Sequence, residues 1–303
     1  MPNMSNKELS ILMPSYNNTC VALVKELAAQ CSNLEGLRYE IIVADDGSSK
    51  YSAVSRNREI NKWVNCRFVE RGINKGRAAI RNFLAEEAQY GTLLFLDSDV
   101  KIKKDDFILD YMDAGCDGVV YGGIHNDEDA FDANNLRCVY ECAFELKNPA
   151  SVRNTKPYQH FRTTNFMVLK DVMMRFPFDE DFREYGYEDV LFGKTMKENG
   201  IVMKHIDNPV IVDDYDTNEE FIDKTQQAMR TLHTHRKEME GYSGLITMSH
   251  GINRCCLTPM VHLAYKMYGG RLYDRLCKGR PSIMMYNLYR IMYYMVQPDK
   301  HRY

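Results

Sequence analysis

Over the first hundred positions, short apolar runs alternate with stretches whose apolar residues recur every three or four places. Residues 9–13 (LSILM) read as a strand closed by Pro14. Residues 19–31 bring Val21, Val24, Leu27 and Ala28 onto one side of a helix. Residues 39–44 (YEIIVA) are an almost unbroken apolar run, the pattern of a strand covered on both faces, and stop at Asp45-Asp46-Gly47-Ser48-Ser49. A short strand is expected over 67–69. A helix opening at Gly76 carries Ala79, Ile80, Phe83, Leu84 and Ala88 on one side. Residues 92–96 (TLLFL) form the next buried strand and end in Asp97-Ser98-Asp99. This alternation predicts parallel strands with helices on both faces. Ligands of such sheets bind beyond the carboxyl ends of the strands, where both acidic clusters fall.

The rest of the chain is less regular. Strands are expected over 118–122, 165–169 and 210–212, and a loop with Pro157 over 153–158. Helices are expected over 136–146, with Cys138 and Cys142 four apart, and over 219–232. A further helix over 188–198 is stopped by Gly200. Residues 283–296 (IMMYNLYRIMYYMV) are apolar or aromatic at all but Asn287 and Arg290, yet too short to cross a bilayer.

Composition changes this picture in two places. With 303 residues, 45% of them hydrophobic and 27% charged, the chain is long enough for a sizeable core. A net charge of −3 gives no global field toward nucleic acid. However, residues 251–303 carry nine Lys/Arg against two Asp, a net of +7, which leaves −10 on the first 250. Nine cysteines without a C-x-x-C pair point to reduced thiols rather than a zinc or redox motif. The opening MPNMSNKELS has no apolar core of a secretory leader, so the expected location is cytoplasmic.

The acidic clusters carry the chemistry. Two carboxylates in Asp-x-Asp repel unless a cation lies between them. Mg²⁺ or Mn²⁺ takes one or two carboxylates and completes its shell with water and phosphate oxygens, so Asp97 and Asp99 suit a metal–diphosphate site. One of Asp45 and Asp46 could accept a hydrogen bond from a nucleotide base. Glu188-Asp189 opens a helix, whose dipole favours ionised carboxylates while the neighbouring charge opposes them. A carboxylate so balanced has the profile of a general base.

Five blocks then stand in one order: ILMPSYNN (11–18), EIIVADDGSS (40–49), NKGRAAIRN (74–82), LLFLDSDV (93–100) and FDEDFREYGYEDVLFGKTMKENG (178–200). Together they resemble the bacterial family 2 inverting glycosyltransferases of the GT-A fold, over about three quarters of the chain. The resemblance implies an α/β fold with a Rossmann-like mixed sheet flanked by helices. It places a catalytic domain over 1–235, with a nucleotide-sugar half to about 100 and an acceptor half beyond, followed by a helical extension over 236–303. Pro14, Tyr16 and Asp45 or Asp46 would take the uracil-type base. Arg71, Asn74, Lys75, Arg77 and Ser98 would border the nucleotide. Asp97 would touch ribose or metal, and Asp99 would hold Mn²⁺ or Mg²⁺. Thr164 and Asn165 would face the donor sugar. Asp189 would be the base, with Glu188 orienting donor or acceptor.

One position departs from that pattern. Val212 stands where many relatives carry a metal-binding His. Either Asp213 or Asp214 supplies the missing ligand or the metal site is weaker, and His205 is expected to be structural. The alternative is a non-catalytic sugar-nucleotide-binding or scaffold protein with a decayed site. The acceptor would be a glycan or a lipid-linked molecule. The basic 236–303 segment would then either pack on the domain or a second copy, or lie peripherally on a membrane.

Overall fold

A computed structural model describes residues 7–298 apart from 128, 130, 146, 147, 183, 184, 213 and 214. The first half runs β1 (Glu8–Ser15), α1 (Val21–Ser32), β2 (Arg38–Asp45), α2 (Tyr51–Asn57), β3 (Cys66–Glu70), α3 (Arg77–Glu87) and β4 (Thr92–Leu96). It continues through α4 (Phe107–Ala114), β5 (Gly118–Tyr121), β6 (Ile124–Asn126), α5 (Leu136–Glu145), α6 (Ala150–Arg153), β7 (Asn165–Leu169) and α7 (Lys170–Arg175). Then come α8 (Glu188–Glu198), β8 (Val202–His205), β9 (Val210–Val212), α9 (Asn218–Thr234), α10 (Gly244–Arg254), α11 (Thr258–Lys278) and α12 (Ile283–Met295).

Seven strands form one sheet in the order β3-β2-β1-β4-β7-β5-β8. The first four are parallel, as the alternation predicts. β7 enters antiparallel to both β4 and β5 and makes the sheet mixed. Alternate side chains of each strand enter opposite cores. Ile11, Val43 and Leu94 meet α1 and α4 residues on one face. Leu12, Ile42 and Phe95 meet α3, α7 and α8 residues on the other. Burial on both faces is why these strands read as unbroken apolar runs.

Two expectations need correction. Pro14 does not close β1, which runs to Ser15. Pairing with β4 covers only Ser10–Leu12, so at Pro14 the strand has a neighbour on one side only, where proline is tolerated. The 153–158 loop begins one residue late, because Arg153 still belongs to α6.

The C-terminal helices pack onto the body. Tyr286 and Tyr289 of α12 share a core with Leu136 of α5 and Ile222 of α9. Ile291, Met292 and Tyr294 share another with Phe182, Met229 and Leu232. The tyrosine hydroxyls are satisfied inside the protein. Tyr289 accepts from Gln226 at 2.7 Å, Tyr293 accepts from Arg230 at 2.8 Å, and Tyr286 lies 3.0 Å from the Thr225 hydroxyl. α12 is therefore packed on the body through its tyrosine face, the packing alternative for residues 283–296, while Met284 and Leu288 stay exposed. No helix among the described residues is long and apolar enough to cross a membrane.

Tyr289 is buried with its hydroxyl engaged, so Tyr289→Ala leaves a cavity and strands the Gln226 amide. The expected loss is about 3–5 kcal/mol, read as a lower urea midpoint. An unchanged midpoint would show that α12 contributes nothing to the fold.

Candidate active site

Parallel pairing brings the carboxyl ends of β1, β2 and β4 to one edge of the sheet. A cleft there is lined by Pro14, Tyr16, Asp46, Asn74, Arg77, Asp97, Ser98 and Asp99. The two aspartates after β2 have different tasks. Asp45 turns into its own turn and accepts from the Ser48 N–H at 2.9 Å and from the Ser48 hydroxyl. Asp46 faces the cleft and gathers the 71–76 loop. It accepts from Gly76 N–H at 2.8 Å, and from Lys75 N–H and Arg71 Nη1 at 3.2 Å each. That loop passes so close that a Cβ on Gly47 would lie 2.5 Å from the Asn74 nitrogen. Gly47 also has φ +72°, so glycine is required on both counts. Arg71 stacks 4.8 Å from the Phe83 ring and supports the loop rather than lining the cleft. Lys75 contributes its backbone N–H, and its side chain is exposed.

A chain of charges crosses the cleft. Arg77 and Arg81 lie four apart on the first turns of α3, hence on one face of the helix. Arg81, 1% exposed, donates to Asp97 Oδ1 at 2.6 Å. Arg77 lies 3.4 Å from Asp97 Oδ2 and donates from Nε to Glu188 Oε1 at 3.1 Å. Its guanidinium also sits 5.4 Å over the Tyr185 ring. Asp97 is thus neutralised by protein groups. Asp99, open to the cleft, has no ion pair among the described residues. Desolvation by the surrounding protein, and then the charge of Asp97, hold its carboxyl above the usual range. An adjacent cation relieves that cost, so the Asp97–Asp99 pair fits Mn²⁺ or Mg²⁺. No group of three or more His, Cys, Asp or Glu suited to a metal occurs among the described residues. The remaining ligands would be water and phosphate.

Beyond Glu188 the cleft opens into a cavity of about 390 Å³ lined by Asp189, Arg162, Thr164, Tyr140, Tyr286 and Arg290, among others. Tyr187 has φ +72°, an uncommon value for a non-glycine residue. The chain turns there so that Glu188 and Asp189 form the first turn of α8. Asp189 accepts from Val190 N–H at 2.8 Å. Desolvation and the neighbouring Glu188 outweigh that bond and the charge of Arg162, and push its pKa up to about 6. It is therefore mostly ionised at neutral pH and still able to take a proton.

Several expected residues stand elsewhere. Thr164 faces the cavity, but Asn165 does not, which corrects the donor-sugar expectation for it. Its Nδ2 donates to the Gly123 and Asn208 carbonyls at 2.9 Å each, and its Oδ1 accepts from Tyr111 at 2.7 Å. His205 is structural, as expected. Its Nδ1 accepts from Arg153 and its Nε2 meets the Pro157 carbonyl at 2.9 Å. Burial, and then Arg153, push its pKa down to about 4, so the ring is neutral. Val212 lines a cavity that Asp97 and Asp99 also line. Asp213 and Asp214 lie outside the described residues.

Sequence reasoning missed Arg81, Tyr185, Arg162, Tyr140, Tyr286 and Arg290. Arg81 carried a local signal, its i, i+4 spacing from Arg77 within NKGRAAIRN, and Tyr185 and Arg162 stand within three residues of Glu188 and Thr164. Tyr140, Tyr286 and Arg290 are remote in sequence and meet the site only in the fold.

Residues 10–177 match the family described as Glycosyl transferase family 2. An uncharacterized glycosyltransferase of Haemophilus influenzae is 36% identical over 97 residues, covering 32% of this chain and 38% of that protein. A chondroitin synthase of Escherichia coli is 25% identical over 232 residues, covering 66% of this chain and 33% of that protein. The chain thus spans under two fifths of the length of either relative. In fold it is similar to the mannosyltransferase PcManGT of Pyrobaculum calidifontis, solved with GDP-Man and Mn²⁺. The TM-score is 0.59 at 14% identity, over 98% of this chain and 87% of that one. It is also similar to residues 1–349 of S. aureus TarS, with TM-score 0.51 and 16% identity, over 95% and 89% of the two chains.

The geometry of Asn165 generates a test. Asn165→Ala removes three buried hydrogen bonds and strands the Asn208 carbonyl, because Val210 N–H still reaches Gly123 and the main-chain carbonyl of residue 165 still accepts from Tyr111; the stranded group costs about 1–3 kcal/mol. The expected outcome is a marked fall in the unfolding midpoint. Undiminished stability with weakened donor binding would restore the donor-sugar role.

Proposed function

The chain belongs to glycosyl transferase family 2, and from that premise we propose that it moves a sugar, with inversion, from a nucleoside-diphosphate donor to an acceptor hydroxyl. The observation that carries the proposal is the continuity of one cleft from Tyr16 and Asp46, past Asp97 and Asp99, to Asp189, with Arg77 as the link. In this reading the base lies against Tyr16 and Asp46, and a uracil-type base is the preferred occupant. Asn74, Arg77 and Ser98 border the nucleotide. Asp99, with Asp97 beside it, would hold Mn²⁺ or Mg²⁺, which when bound neutralises the leaving diphosphate. Thr164 stands beside the donor sugar. Asp189 takes the proton of the acceptor hydroxyl. The oxygen attacks the anomeric carbon, the bond to the diphosphate oxygen breaks, and the nucleotide leaves with that electron pair. Glu188, fixed by Arg77, orients the reacting sugars.

The test is turnover of a panel of nucleotide sugars with and without Mn²⁺, with Asp99→Ala expected to remove the metal dependence. Asp189→Asn should lower transfer by about 10²–10⁴ while nucleotide binding survives. Wild-type transfer should fall with decreasing pH through about 6 as Asp189 is protonated. The raised pKa has a second consequence. The stability contributed by protonated Asp189 is present at low pH and lost as pH rises through about 6. Asp189→Asn should therefore be as stable as wild type, or more so, at pH 8. Wild-type transfer by this variant would remove Asp189 from the mechanism, and no turnover with any donor would favour a scaffold protein.

The exposed face of α11 supports a further part of the reading, a peripheral seat on an anionic membrane that presents a lipid-linked acceptor. Met260, Leu263 and Met267 are 66%, 58% and 55% exposed at one-face helical spacing. Lys266, Arg271 and Lys278 are exposed on the same helix. Such a combination suits an anionic interface. Flotation with anionic liposomes should fall with salt and with the triple change Met260→Ser, Leu263→Ser, Met267→Ser. Negligible flotation, with a dimer that the triple change dissolves, would assign the face to a second copy.

A further inference from the structure

We infer that the acceptor carries an anionic group, a carboxylate or a phosphate, near the hydroxyl that reacts, and that Arg162 and Arg290 bind it. The inference rests on Asp189 marking the acceptor side of the cleft. It starts from how the cations around the cleft are used. Arg77 is spent on Asp97 and Glu188, Arg81 on Asp97, Arg137 on Glu141 and Asp216, and Lys224 on Asp216. The two guanidiniums in the cavity beside Asp189 differ. Neither has a carboxylate within ion-pair distance among the described residues.

Arg162 precedes β7 and lies over the Phe144 ring at 4.8 Å, with no hydrogen-bond partner among the described residues. It is close enough to Asp189 to lower its proton affinity. Arg290 comes from α12. Its contacts are aromatic and neutral: the Tyr140 hydroxyl at 3.2 Å, Asn287 Oδ1 at 3.4 Å, the Tyr187 side chain, and the face of Tyr286 at 5.4 Å. Its Nε is buried with no hydrogen-bond partner. Asp189 and Glu141 act on Arg162 across the cavity without pairing with it, whereas Arg290 has only neutral partners. A guanidinium taken from water without a paired carboxylate is costly, so an anion that reaches Arg290 is favoured. The planar fork of arginine also matches carboxylate and phosphate oxygens geometrically. The aromatic walls, Tyr140, Phe144 and Tyr286, cover the apolar faces of a sugar while the two arginines fix its charged substituent. Anchored there, the hydroxyl is presented to Asp189, and the C-terminal extension becomes part of acceptor selection.

Two pairs of probes test this on the full chain with UDP and Mn²⁺ present: methyl β-D-glucuronide against methyl β-D-glucoside, and glycerol 1-phosphate against glycerol. Ligand-observed NMR reads their affinities. The charged member of at least one pair should bind at least about tenfold more tightly, and which pair does so separates a carboxylate from a phosphate. Arg290→Gln and Arg162→Gln should each erase the preference, and Arg290→Lys should keep part of it, with UDP affinity unchanged. The two residues lie on different elements, so a folding defect in one variant, seen in its thermal melt, leaves the other decisive. Equal binding within both pairs, including none by any probe, overturns the inference, as does a preference that survives both Gln variants. Failure of the transferase reading shows separately, as a wild-type chain that neither binds nor turns over any nucleotide sugar.

Discussion

Asp97 and the two arginines of α3 fix the geometry on which the cleft depends. Arg81 is buried beneath the cleft floor, where an unpaired guanidinium would be expensive, and Asp97 is the carboxylate that compensates it. Removing one partner of such a pair typically costs about 3–5 kcal/mol. Arg77, one turn earlier, extends the same compensation to Glu188. One strand end and two helix starts, from positions 77 to 188, are thereby held in register. The arrangement also divides labour within Asp97-Ser98-Asp99. The first carboxylate is consumed by protein cations, and the second has no ion pair among the described residues.

Much of this was legible along the chain for a physical reason. Strands buried on both faces produce continuous apolar runs, and their ends are marked by acidic turns, so β2 and β4 announce themselves together with Asp46 and Asp97. Direction is not encoded in periodicity, and the antiparallel entry of β7 cannot be read from NFMVL. β6 and β8 are also silent, because IHN and VMKH mix polar and apolar residues, whereas the equally short β9 is the all-apolar VIV. The Thr164–Asn165 pair shows how a sound motif yields a wrong side chain. Asn165 opens strand β7, where successive residues point to opposite sides. Once Thr164 faces the cavity, its neighbour turns away, and the buried carbonyls of Gly123 and Asn208 claim its amide.

The C-terminal helices illustrate a different limit. A basic segment rich in Met and Tyr has the composition of a membrane-interface helix and of an intramolecular contact alike. For α12 the partners of the tyrosine hydroxyls show the intramolecular contact, and Thr225, Gln226 and Arg230 of α9 supply them. Those partners lie some sixty residues upstream, beyond any local pattern. The same packing carries Arg290 to the Asp189 cavity, about a hundred residues away in sequence.

The proton affinity of Asp189 follows from this assembly rather than from its own segment. The helix start and the Val190 N–H favour the carboxylate, while burial and Glu188 oppose it. Glu188 would oppose it more strongly if it stood alone, but its charge is shared with Arg77. Arg77 and Arg162 also act on Asp189 directly, and both lower its proton affinity. A carboxylate poised about 6 is therefore maintained by cations from α3 and from the loop before β7. The first of these also contacts Asp97 at the end of β4. One guanidinium thus bears on both Asp97 and Asp189, so the charges at the two ends of the cleft cannot be tuned independently.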